Sequence, residues 1–274
     1  MDKVKTSDGS FTYYSSEFDE NYHSLVGAWT ESLHKFVYPS HVLDQDTATV
    51  LDIGFGLGYN TLALLRARKP GQKFRVYALE LYRETVEAAV DVHTGAERLI
   101  LEDLLAEGES RGEWGQISLF LGDARINLAQ IAPDSVDAVF LDPFSPPKNP
   151  ELWTVQFLRD VWLRLVQDGV LLTYSSALPV IAGLVKAGFQ VSNTPPIGRR
   201  RGGIKARKNS LEPRLLLDEA DQYLFRVSAN AVPNIDHGLW PACRIAAYRQ
   251  KLIQWLKEKG FLLSHKQAGK LYRG

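Results

Sequence analysis

The sequence predicts an α/β fold in which a mostly parallel sheet carries helices on both faces. One observation is a series of short apolar, β-prone runs, namely Thr49–Gly54, Phe74–Leu79, Gln116–Leu121, Val136–Leu141 and Gly169–Tyr174. The other is that segments with helical periodicity separate these runs. Alternating strands and helices favour a parallel sheet whose ligands bind beyond the carboxyl ends of the strands.

The first predicted strand, Thr49–Gly54, ends in glycine and leads into a tight turn and a helix. Leucines at positions 62, 64 and 65 indicate that this helix spans Asn60–Arg68. The clearest helical pattern is Trp153–Val166, where one face at i, i+3 and i+4 spacing carries Phe157, Leu158, Val161, Trp162 and Leu165. These elements follow the strand and helix order of the predicted fold.

Two segments fall outside this alternation. Residues 1–45 are polar and aromatic, and residues 211–274 close with a predicted amphipathic helix, Arg244–Lys259. Its expected apolar face consists of Ile245, Tyr248, Leu252, Trp255 and Leu256, and leaves out Arg249, Lys251 and Lys257. We therefore expect an N-terminal extension (1–45), a core (46–210) and a C-terminal extension (211–274).

The composition argues for a packed protein without metal or disulfides. The 274 residues are 45% hydrophobic, and Cys243 is the single cysteine, so no internal disulfide can form. The six histidines make no pair at metal-ligand spacing with cysteine or carboxylate. Because the start lacks a signal-peptide core and no run of about 18 apolar residues occurs, we expect a cytoplasmic protein without a membrane partner. We also expect a monomer.

Charge is distributed unevenly along the chain although the formal net charge is zero. Residues 199–274 contain 16 Lys and Arg against 6 Asp and Glu, whereas residues 1–198 contain 16 against 26. Coulomb attraction acts over about one Debye length, so a neutral total can hide a strongly basic end. The distribution indicates a C-terminal part that binds a polyanion.

The first strand runs into the sequence DIGFGLG, residues 52–58, with glycines at 54, 56 and 58. A dinucleotide-binding fingerprint would need a further glycine where Tyr59 stands, so the NAD pattern fails. Glycines allow a ligand to approach the backbone closely, and the following helix N-terminus offers free N–H groups. Such a turn suits a carboxylate or a nucleoside as well as a phosphate.

Carboxylates follow the next three strands as well. Glu80 could accept both hydroxyls of a ribose, Asp123 could receive an adenine amino group, and Asp142 ends the fourth strand. A single acid at a strand end is more often a helix cap. Four acids in order, counting Asp52, predict a nucleoside-binding site.

These residues resemble the class I S-adenosylmethionine-dependent methyltransferases over roughly residues 46–195. The resemblance implies a Rossmann-like fold with a seven-stranded, mostly parallel sheet and S-adenosyl-L-methionine as the cofactor. It also implies that Asp52 lies near the methionine amine, that Glu80 grips the ribose and that Asp123 faces adenine. The full implied cofactor-binding set is Asp52, Gly54, Gly56, Gly58, Glu80, Asp123, Ala124 and Asp142. Spermidine synthases share much of the glycine pattern, so the turn alone leaves aminopropyl transfer open.

The run LDPFSPPKNPELW, residues 141–153, places a stiff proline loop after the fourth strand. Its Asp-Pro-Phe is similar to the Asp-Pro-Pro-Tyr signature of methyltransferases that modify amino groups. A carboxylate and a neighbouring carbonyl can accept N–H bonds and orient an amine, and proline stiffens the loop that holds them. Asn149, Pro150 and Trp153 are better explained as a helix start with a core tryptophan, which does not account for Asp142, Phe144 or Lys148.

The whole run resembles the methyltransferase half of the MnmC family, which completes 5-methylaminomethyl uridine at the tRNA wobble position. The matching positions are Asp142, Phe144, Pro146, Lys148, Asn149, Pro150 and Trp153. The opening segment and residues 198–206 also resemble that family, so that most of residues 5–245 is covered. The resemblance implies N-methylation of 5-aminomethyl uridine in tRNA, with Asp142, Phe144 and Lys148 as catalytic residues. Because no FAD oxidoreductase domain follows, we expect methylation alone.

Residues 199–208, RRRGGIKARK, carry six positive charges in ten positions. We expect phosphate binding by Arg199, Arg200, Arg201, Lys205, Arg207 and Lys208. A splayed base would stack on Phe11, Tyr13, Tyr14 or Phe144. Two alternatives stay open: a small-amine or polyamine transferase of the spermidine synthase type, and a non-catalytic RNA-binding module.

Overall fold

The computed structural model describes residues 2–24, 26–196, 202–208 and 215–273. Its strands are β1 (Asp2–Lys5), β2 (Phe11–Ser15), β3 (Glu20–Asn21), β4 (Thr47–Ile53), β5 (Lys73–Glu80), β6 (Glu109–Gly112), β7 (Gly115–Leu121), β8 (Val136–Leu141), β9 (Leu165–Thr173), β10 (Phe189–Asn193), β11 (Ile204–Lys208) and β12 (Leu215–Leu216).

The α-helices are α1 (Ala28–Ser32), α2 (Tyr38–Ser40), α3 (Tyr59–Ala67), α4 (Arg83–Val92), α5 (Gly95–Glu107), α6 (Ala124–Asn127), α7 (Val155–Arg164), α8 (Leu178–Ala187), α9 (Glu219–Val227), α10 (Ala242–Glu258) and α11 (His265–Arg273). A π-helical turn, Leu33–Val37, joins α1 to α2. Short 3-10 turns occur at Val42–Asp44, Leu128–Gln130, Pro150–Trp153 and Ala229–Ala231.

The central sheet has the order β12-β10-β11-β9-β8-β4-β5-β7-β6. Neighbours from β9 to β7 all pair in parallel, whereas β6 and β11 run antiparallel to their partners. The predicted mostly parallel α/β sheet is confirmed: seven strands from β10 to β7 form it, and β6 and β12 extend its edges.

Helices cover both faces because each buried strand alternates its side chains between two apolar cores. Val50 of β4 packs in a core with Leu62 of α3. Its neighbour Leu51 packs in a second core with Leu158 of α7. Since β4 lies between β5 and β8, the chain reverses its direction of winding at this point, which opens a crevice at the carboxyl ends of these strands.

The predicted helix Trp153–Val166 is shorter in the structure. Thr154 caps α7, since its Oγ1 accepts a hydrogen bond from Phe157 N at 3.3 Å. Trp153 belongs to the preceding 3-10 turn, and β9 already begins at Leu165. The end of this prediction was wrong because apolar residues of a helix and of the following buried strand form one continuous pattern.

The C-terminal helix exists, but its predicted apolar face was partly wrong. Ile245 and Ile253 of α10 are buried, whereas Tyr248 is 37% exposed and Trp255 is 50% exposed. Arg249 lies toward the interior and donates from Nε to Val232 O at 2.7 Å. The core face is therefore rotated away from the two aromatic residues.

The first residues form a small antiparallel sheet, β1-β2-β3, that the sequence analysis did not predict. Asp8 fastens it to α1: Oδ2 accepts from Thr30 N at 3.0 Å, and Oδ1 accepts from Ser10 N at 3.0 Å. Burial alone would raise the pKa of Asp8, but the hydrogen bonds from Ser10 and Thr30 prevail and lower it to about 2. Across the described residues, no helix combines the length and apolarity that crossing a membrane would need.

Candidate active site

A cavity of about 710 Å³ opens at the carboxyl ends of β4, β5, β7 and β8. Of the residues predicted from the sequence to bind the cofactor or act in catalysis, those that line it are Gly54, Gly56, Glu80, Asp123, Ala124, Asp142, Phe144 and Lys148. Parallel strands end at a common edge of the sheet, which explains how residues so far apart in sequence meet here. Asp52 and Gly58 lie outside the lining.

The glycine turn contacts the proline loop directly. Gly54 has φ of 77°, in the left-handed region, and a Cβ added to it would lie 2.9 Å from the carbonyl oxygen of Asp142. No side chain larger than hydrogen fits between the two segments without moving one of them. The turn is also tied to β5, since Gly56 N donates to Glu80 Oε2 at 2.8 Å.

Asp52 is fully buried beside α3. One oxygen accepts a hydrogen bond from Thr61 Oγ1 at 2.7 Å, and the other has no hydrogen-bond partner among the described residues. Burial, with the nearby charges of Asp142 and Glu80, raises the pKa of Asp52 well above its usual value. The structure therefore places this acid in the interior behind the turn and not on the cavity wall.

Glu80 lies on the wall with its carboxylate held by the backbone. Besides the bond from Gly56, its Oε1 accepts from Tyr82 N at 3.2 Å. Burial raises the pKa of Glu80, although these backbone bonds oppose the rise. Hydrogen bonds from the Leu81 backbone and the Thr85 side chain also oppose the rise, so the protein holds this carboxylate firmly in place on the wall.

Asp123 also lies on the wall, and Arg125 is its partner. Arg125 Nη2 donates to Asp123 Oδ2 at 2.6 Å, while its Nη1 donates to Asp236 Oδ2 at 3.0 Å and to Trp240 O at 2.9 Å. Burial acts to raise the pKa of Asp123, but the hydrogen bonds from Arg125 outweigh it and lower the pKa. Arg125 thereby joins the wall to the segment that precedes α10.

The Asp-Pro-Phe corner is held by three side chains from other elements. Asn60 Nδ2 donates to Asp142 Oδ2 at 2.8 Å. Tyr174 Oη donates to the carbonyl of Pro143 at 3.0 Å, and Trp153 Nε1 donates to the carbonyl of Phe144 at 2.9 Å. The Asp142 carboxylate and both loop carbonyls are thus fixed in position by hydrogen bonds from the protein.

The N-terminal segment packs against the proline loop and forms a wall of the cavity. Phe18 stacks on Phe144 with ring centroids 4.2 Å apart and planes 13° apart. Glu20 accepts a hydrogen bond from Ser145 N at 3.0 Å. Lys148 Nζ donates to Asp19 Oδ2 at 3.1 Å, so this predicted catalytic cation is paired with the N-terminal segment.

Of the aromatic residues predicted to stack a base, Phe144 alone lies on the cavity wall. Phe11, Tyr13 and Tyr14 do not line the cavity, whereas Phe18 and Tyr22 do. Tyr22 meets the Phe144 ring edge-on at 5.0 Å. The sequence contains no periodic signal for this, because Phe18 and Tyr22 flank β3, which has only two residues.

Residues of α1 and its surroundings form a polar part of the wall. Glu31 and Lys35 make a buried ion pair, and Glu31 Oε2 accepts from Ser24 N at 3.0 Å. Burial lowers the pKa of His23, which also lines the cavity, to about 4. Among the described residues, the buried polar atoms without a hydrogen-bond partner include three from the lining: Ser24 Oγ, Ser32 Oγ and Asn60 Oδ1.

These features fit S-adenosyl-L-methionine. Buried polar atoms in proteins are almost always hydrogen-bonded, so the three orphaned atoms of this wall indicate that a polar ligand completes them. The glycine turn leaves backbone accessible where a side chain would fill the space, and Glu80 and Asp123 offer carboxylates at two further strand ends. A cavity of this volume can hold a nucleoside together with an acceptor group.

The wall carries an excess of negative charge. Three cations, Lys35, Arg125 and Lys148, belong to the lining, and each has a carboxylate partner. The seven carboxylates of the lining are Glu17, Glu20, Glu31, Glu80, Asp123, Asp142 and Glu151. Such a surface favours a cationic or amine-bearing group. Within the described ranges, no group of three or more His, Cys, Asp or Glu is placed to hold a metal ion.

The predicted phosphate-binding residues divide into three groups. Arg199, Arg200 and Arg201 lie outside the described residues. Lys208 is buried, and its Nζ donates to Asp134 Oδ1 at 2.6 Å and to Leu165 O at 2.7 Å, so its predicted phosphate contact is wrong. Lys205 Nζ donates to Pro39 O at 2.7 Å, and Arg207 is exposed.

Comparison with known proteins gives similarities over much of the chain. A family model described as S-adenosyl-L-methionine-dependent methyltransferase matches residues 101–209. An uncharacterized protein of Methanocaldococcus jannaschii is 32% identical, over 97% of this chain and 78% of that protein. Among solved structures, MNMC2 from Aquifex aeolicus is 32% identical with a TM-score of 0.79, covering 92% of this chain and 85% of that one.

The chain is also similar to longer bifunctional proteins. The tRNA 5-methylaminomethyl-2-thiouridine biosynthesis bifunctional protein MnmC of Azoarcus sp. is 32% identical over 72% of this chain and 34% of its own length. The corresponding protein of Thiobacillus denitrificans is 29% identical over 71% of this chain and 35% of its own length. The chain therefore spans about a third of the length of these MnmC proteins.

Proposed function

Since the chain belongs to the MnmC-like family of S-adenosyl-L-methionine-dependent methyltransferases, we propose that its substrate is tRNA. The proposed reaction is N-methylation of the 5-aminomethyl group of the wobble uridine, which forms 5-methylaminomethyl uridine. The observation that carries this proposal is the contact between Gly54 of the cofactor turn and the backbone of Asp142 in the Asp-Pro-Phe corner.

When bound, S-adenosyl-L-methionine supplies an electrophilic methyl group. The residues proposed to hold it are Gly54, Gly56, Glu80 and Asp123, all of which line the cavity. Asp142 lies against that turn, so an amine bonded to its carboxylate would stand next to the cofactor site. Fixing two reactants in this way can remove several kcal/mol from a reaction barrier.

An amine acceptor must lose its proton before it can react. Alkylammonium groups have pKa values near 10, and the protonated nitrogen has no lone pair. We assign to Asp142 the role of orienting the nitrogen and of accepting the proton that the ammonium form loses, with Asn60 fixing the carboxylate through its 2.8 Å bond. The aromatic wall of Phe18, Tyr22 and Phe144 excludes water, and desolvation favours the neutral amine.

The acidic wall supports an amine as the reacting group even though the proposed partner is a polyanion. Seven carboxylates against three paired cations attract the aminomethyl group and repel phosphate. Phosphates would therefore stay outside the cavity, and only the base would enter. An unpaired base can splay out in this way and stack on aromatic side chains.

Transfer of labelled methyl groups tests the proposal. The full chain would be assayed with tRNA that carries 5-aminomethyl uridine, with the same tRNA unmodified at that position, and with putrescine. We expect label only in the aminomethyl tRNA. Methyl transfer to putrescine but not to tRNA would favour a small-amine methyltransferase. An enzyme of the spermidine synthase type would instead transfer the aminopropyl group of decarboxylated S-adenosylmethionine to putrescine, which a parallel assay with that donor detects. Heat of S-adenosyl-L-methionine binding without transfer of either group would contradict the proposed substrate.

A further inference from the structure

Helix α10 presents an exposed row of alternating cationic and aromatic side chains. Arg244, Tyr248, Lys251, Trp255 and, just past the helix end, Lys259 follow one another at spacings of three or four residues. This spacing puts them on one side of a helix. All five are exposed. We call this set the α10 stripe, and its length is about 22 Å at 1.5 Å per residue.

The α10 stripe is not needed for packing the helix. A different face of α10 meets the apolar cluster that contains Ala229, Val232 and Ile253. Leu252 and Leu256 pack against the same cluster. Tyr248 is 37% exposed and Trp255 is 50% exposed although the core face of the helix lies elsewhere. A contiguous exposed surface that includes large aromatic side chains is typical of interaction sites.

The α10 stripe begins at the edge of the cavity. Ala242, in the first turn of α10, belongs to the cavity lining. The guanidinium of Arg244 lies 4.0 Å from the ring centroid of Trp240, and the Trp240 and Tyr248 rings are 5.5 Å apart. The carbonyl of Trp240 in turn accepts a hydrogen bond from Arg125, the partner of Asp123 on the cavity wall. A continuous cationic and aromatic surface therefore leads away from the cavity mouth.

Charge indicates what binds there. Residues 244–274 carry eight Lys and Arg and one acid, Glu258. The cavity itself carries an excess of carboxylates, as described above. A ligand that spans α10 and the cavity would carry negative charges along α10 and an amine in the cavity. It would also carry flat rings that stack on the exposed aromatic side chains of α10.

On the basis of the proposed function, we propose that the α10 stripe binds the single-stranded part of the RNA next to the target nucleotide. Tyr248 and Trp255 stack on unpaired bases, and Arg244, Lys251 and Lys259 contact the phosphates between them. Interleaved rings and cations are how proteins hold single-stranded nucleic acid without reading its sequence. The C-terminal extension thereby sets RNA affinity, while the cavity selects the modified uridine.

Binding of a fluorescently labelled anticodon stem-loop RNA to the full chain tests this assignment. Tyr248→Ala and Trp255→Ala should each raise the Kd about tenfold, because base stacking on an aromatic residue is typically worth about that much or more. The matched controls Tyr248→Phe and Trp255→Phe keep a ring and should stay within about threefold of wild type. All four variants should bind S-adenosyl-L-methionine like wild type in calorimetry.

Salt dependence separates stacking from phosphate contact. Lys251→Ala should reduce the slope of log Kd against log salt by about 0.7 to 0.9, the value for one phosphate contact, whereas Tyr248→Ala should leave the slope unchanged. A duplex RNA of the same length offers no unpaired bases and should not distinguish Tyr248→Ala from Tyr248→Phe.

Three results would overturn the assignment. Alanine variants that bind the stem-loop like wild type, while wild type still methylates tRNA, would remove the α10 stripe from RNA binding and leave the proposed function standing. Loss of binding to phosphatidylserine vesicles but not to RNA in these variants would make α10 a membrane-surface element. Failure of the wild type to bind or methylate any RNA would remove the proposed function and this inference with it.

Discussion

Gly54 and Asp142 are in backbone contact: a Cβ on Gly54 would lie 2.9 Å from the carbonyl oxygen of Asp142 and 3.0 Å from Cα of Pro143. The two residues are at the ends of β4 and β8, neighbouring parallel strands that are far apart in the chain. Their contact brings the glycine turn and the Asp-Pro-Phe corner into one cavity.

Gly54→Ala should weaken cofactor binding at least tenfold and destabilise the fold by about 2–5 kcal/mol. A left-handed non-glycine residue costs about 1–2 kcal/mol, and overpacking against Asp142 adds about 1–3. The control is Gly71→Ala, where φ is 89° but nothing lies within 4 Å of the added Cβ. For the control, urea unfolding should show only the cost of the left-handed conformation, and calorimetry should show unchanged cofactor affinity. Equal losses of stability and affinity in both variants would refute the close contact.

Phe18→Leu should lower kcat/KM for tRNA about tenfold without changing the affinity for S-adenosyl-L-methionine beyond about threefold. Leucine retains apolar bulk but loses the stacked contact with Phe144. Phe18→Tyr keeps the stacking ring and serves as the control. A leucine variant with unchanged kcat/KM would show that the aromatic wall does not position the acceptor.

Arg125→Ala should destabilise the protein by about 2–3 kcal/mol at pH 7, because it leaves the carboxylates of Asp123 and Asp236 without their cation. Arg125, with its side chain 13% exposed, is well shielded. Arg111→Ala, which breaks an exposed ion pair with Glu109, should change stability by under about 1 kcal/mol. Urea unfolding of the three proteins measures these differences.

The same pair of carboxylates gives a pH dependence. Burial acts to raise the pKa of Asp123 and of Asp236. Hydrogen bonds from Arg125 and from backbone amides outweigh burial and lower both pKa values below the usual 3.8. A lowered pKa contributes stability that is present above pH 3.8 and lost as pH falls through the folded value. The stability difference between wild type and Arg125→Ala should thus shrink below about pH 4, and a difference that grows there would contradict this account.

His23 should make the protein less stable in mild acid. Burial lowers its pKa from 6.5 to about 4, so between these values the unfolded chain binds a proton that the folded chain does not. Stability therefore falls as pH drops from 6.5 to 4, by at most about 3 kcal/mol from this group. Urea unfolding of His23→Gln should show a flatter pH dependence in this window, whereas the exposed-site control His41→Gln should follow wild type.

The strands and the strand-end acids could be predicted because they depend on local patterns. Apolar runs predicted β4, β5, β7, β8 and β9, and the rule that parallel strands share a carboxyl edge brought Glu80, Asp123 and Asp142 together. Asp52 shows the limit of that rule. It ends its strand as predicted, but its side chain faces α3 and the interior.

The remaining site residues depend on contacts between distant segments. Glu20 bonds Ser145 across 125 positions, and no periodicity in the chain connects the two. Lys208 belongs to a basic run, but its side chain is buried and forms an ion pair with Asp134. Tyr248 continues the apolar pattern of α10 yet faces solvent, because the core face of the helix depends on which cluster it meets. Such contacts depend on tertiary packing and therefore could not be predicted from composition or periodicity.

The role of Asp142 is tested most directly by Asp142→Asn, assayed in single turnover with tRNA carrying 5-aminomethyl uridine. The variant keeps an oxygen for Asn60 but loses the negative charge that holds the amine. We predict S-adenosyl-L-methionine affinity within about threefold of wild type and a rate lowered at least 100-fold, in keeping with the loss of a charged hydrogen-bond partner and proton acceptor. A rate that stays within about tenfold of wild type would show that Asp142 is not the group that orients the acceptor.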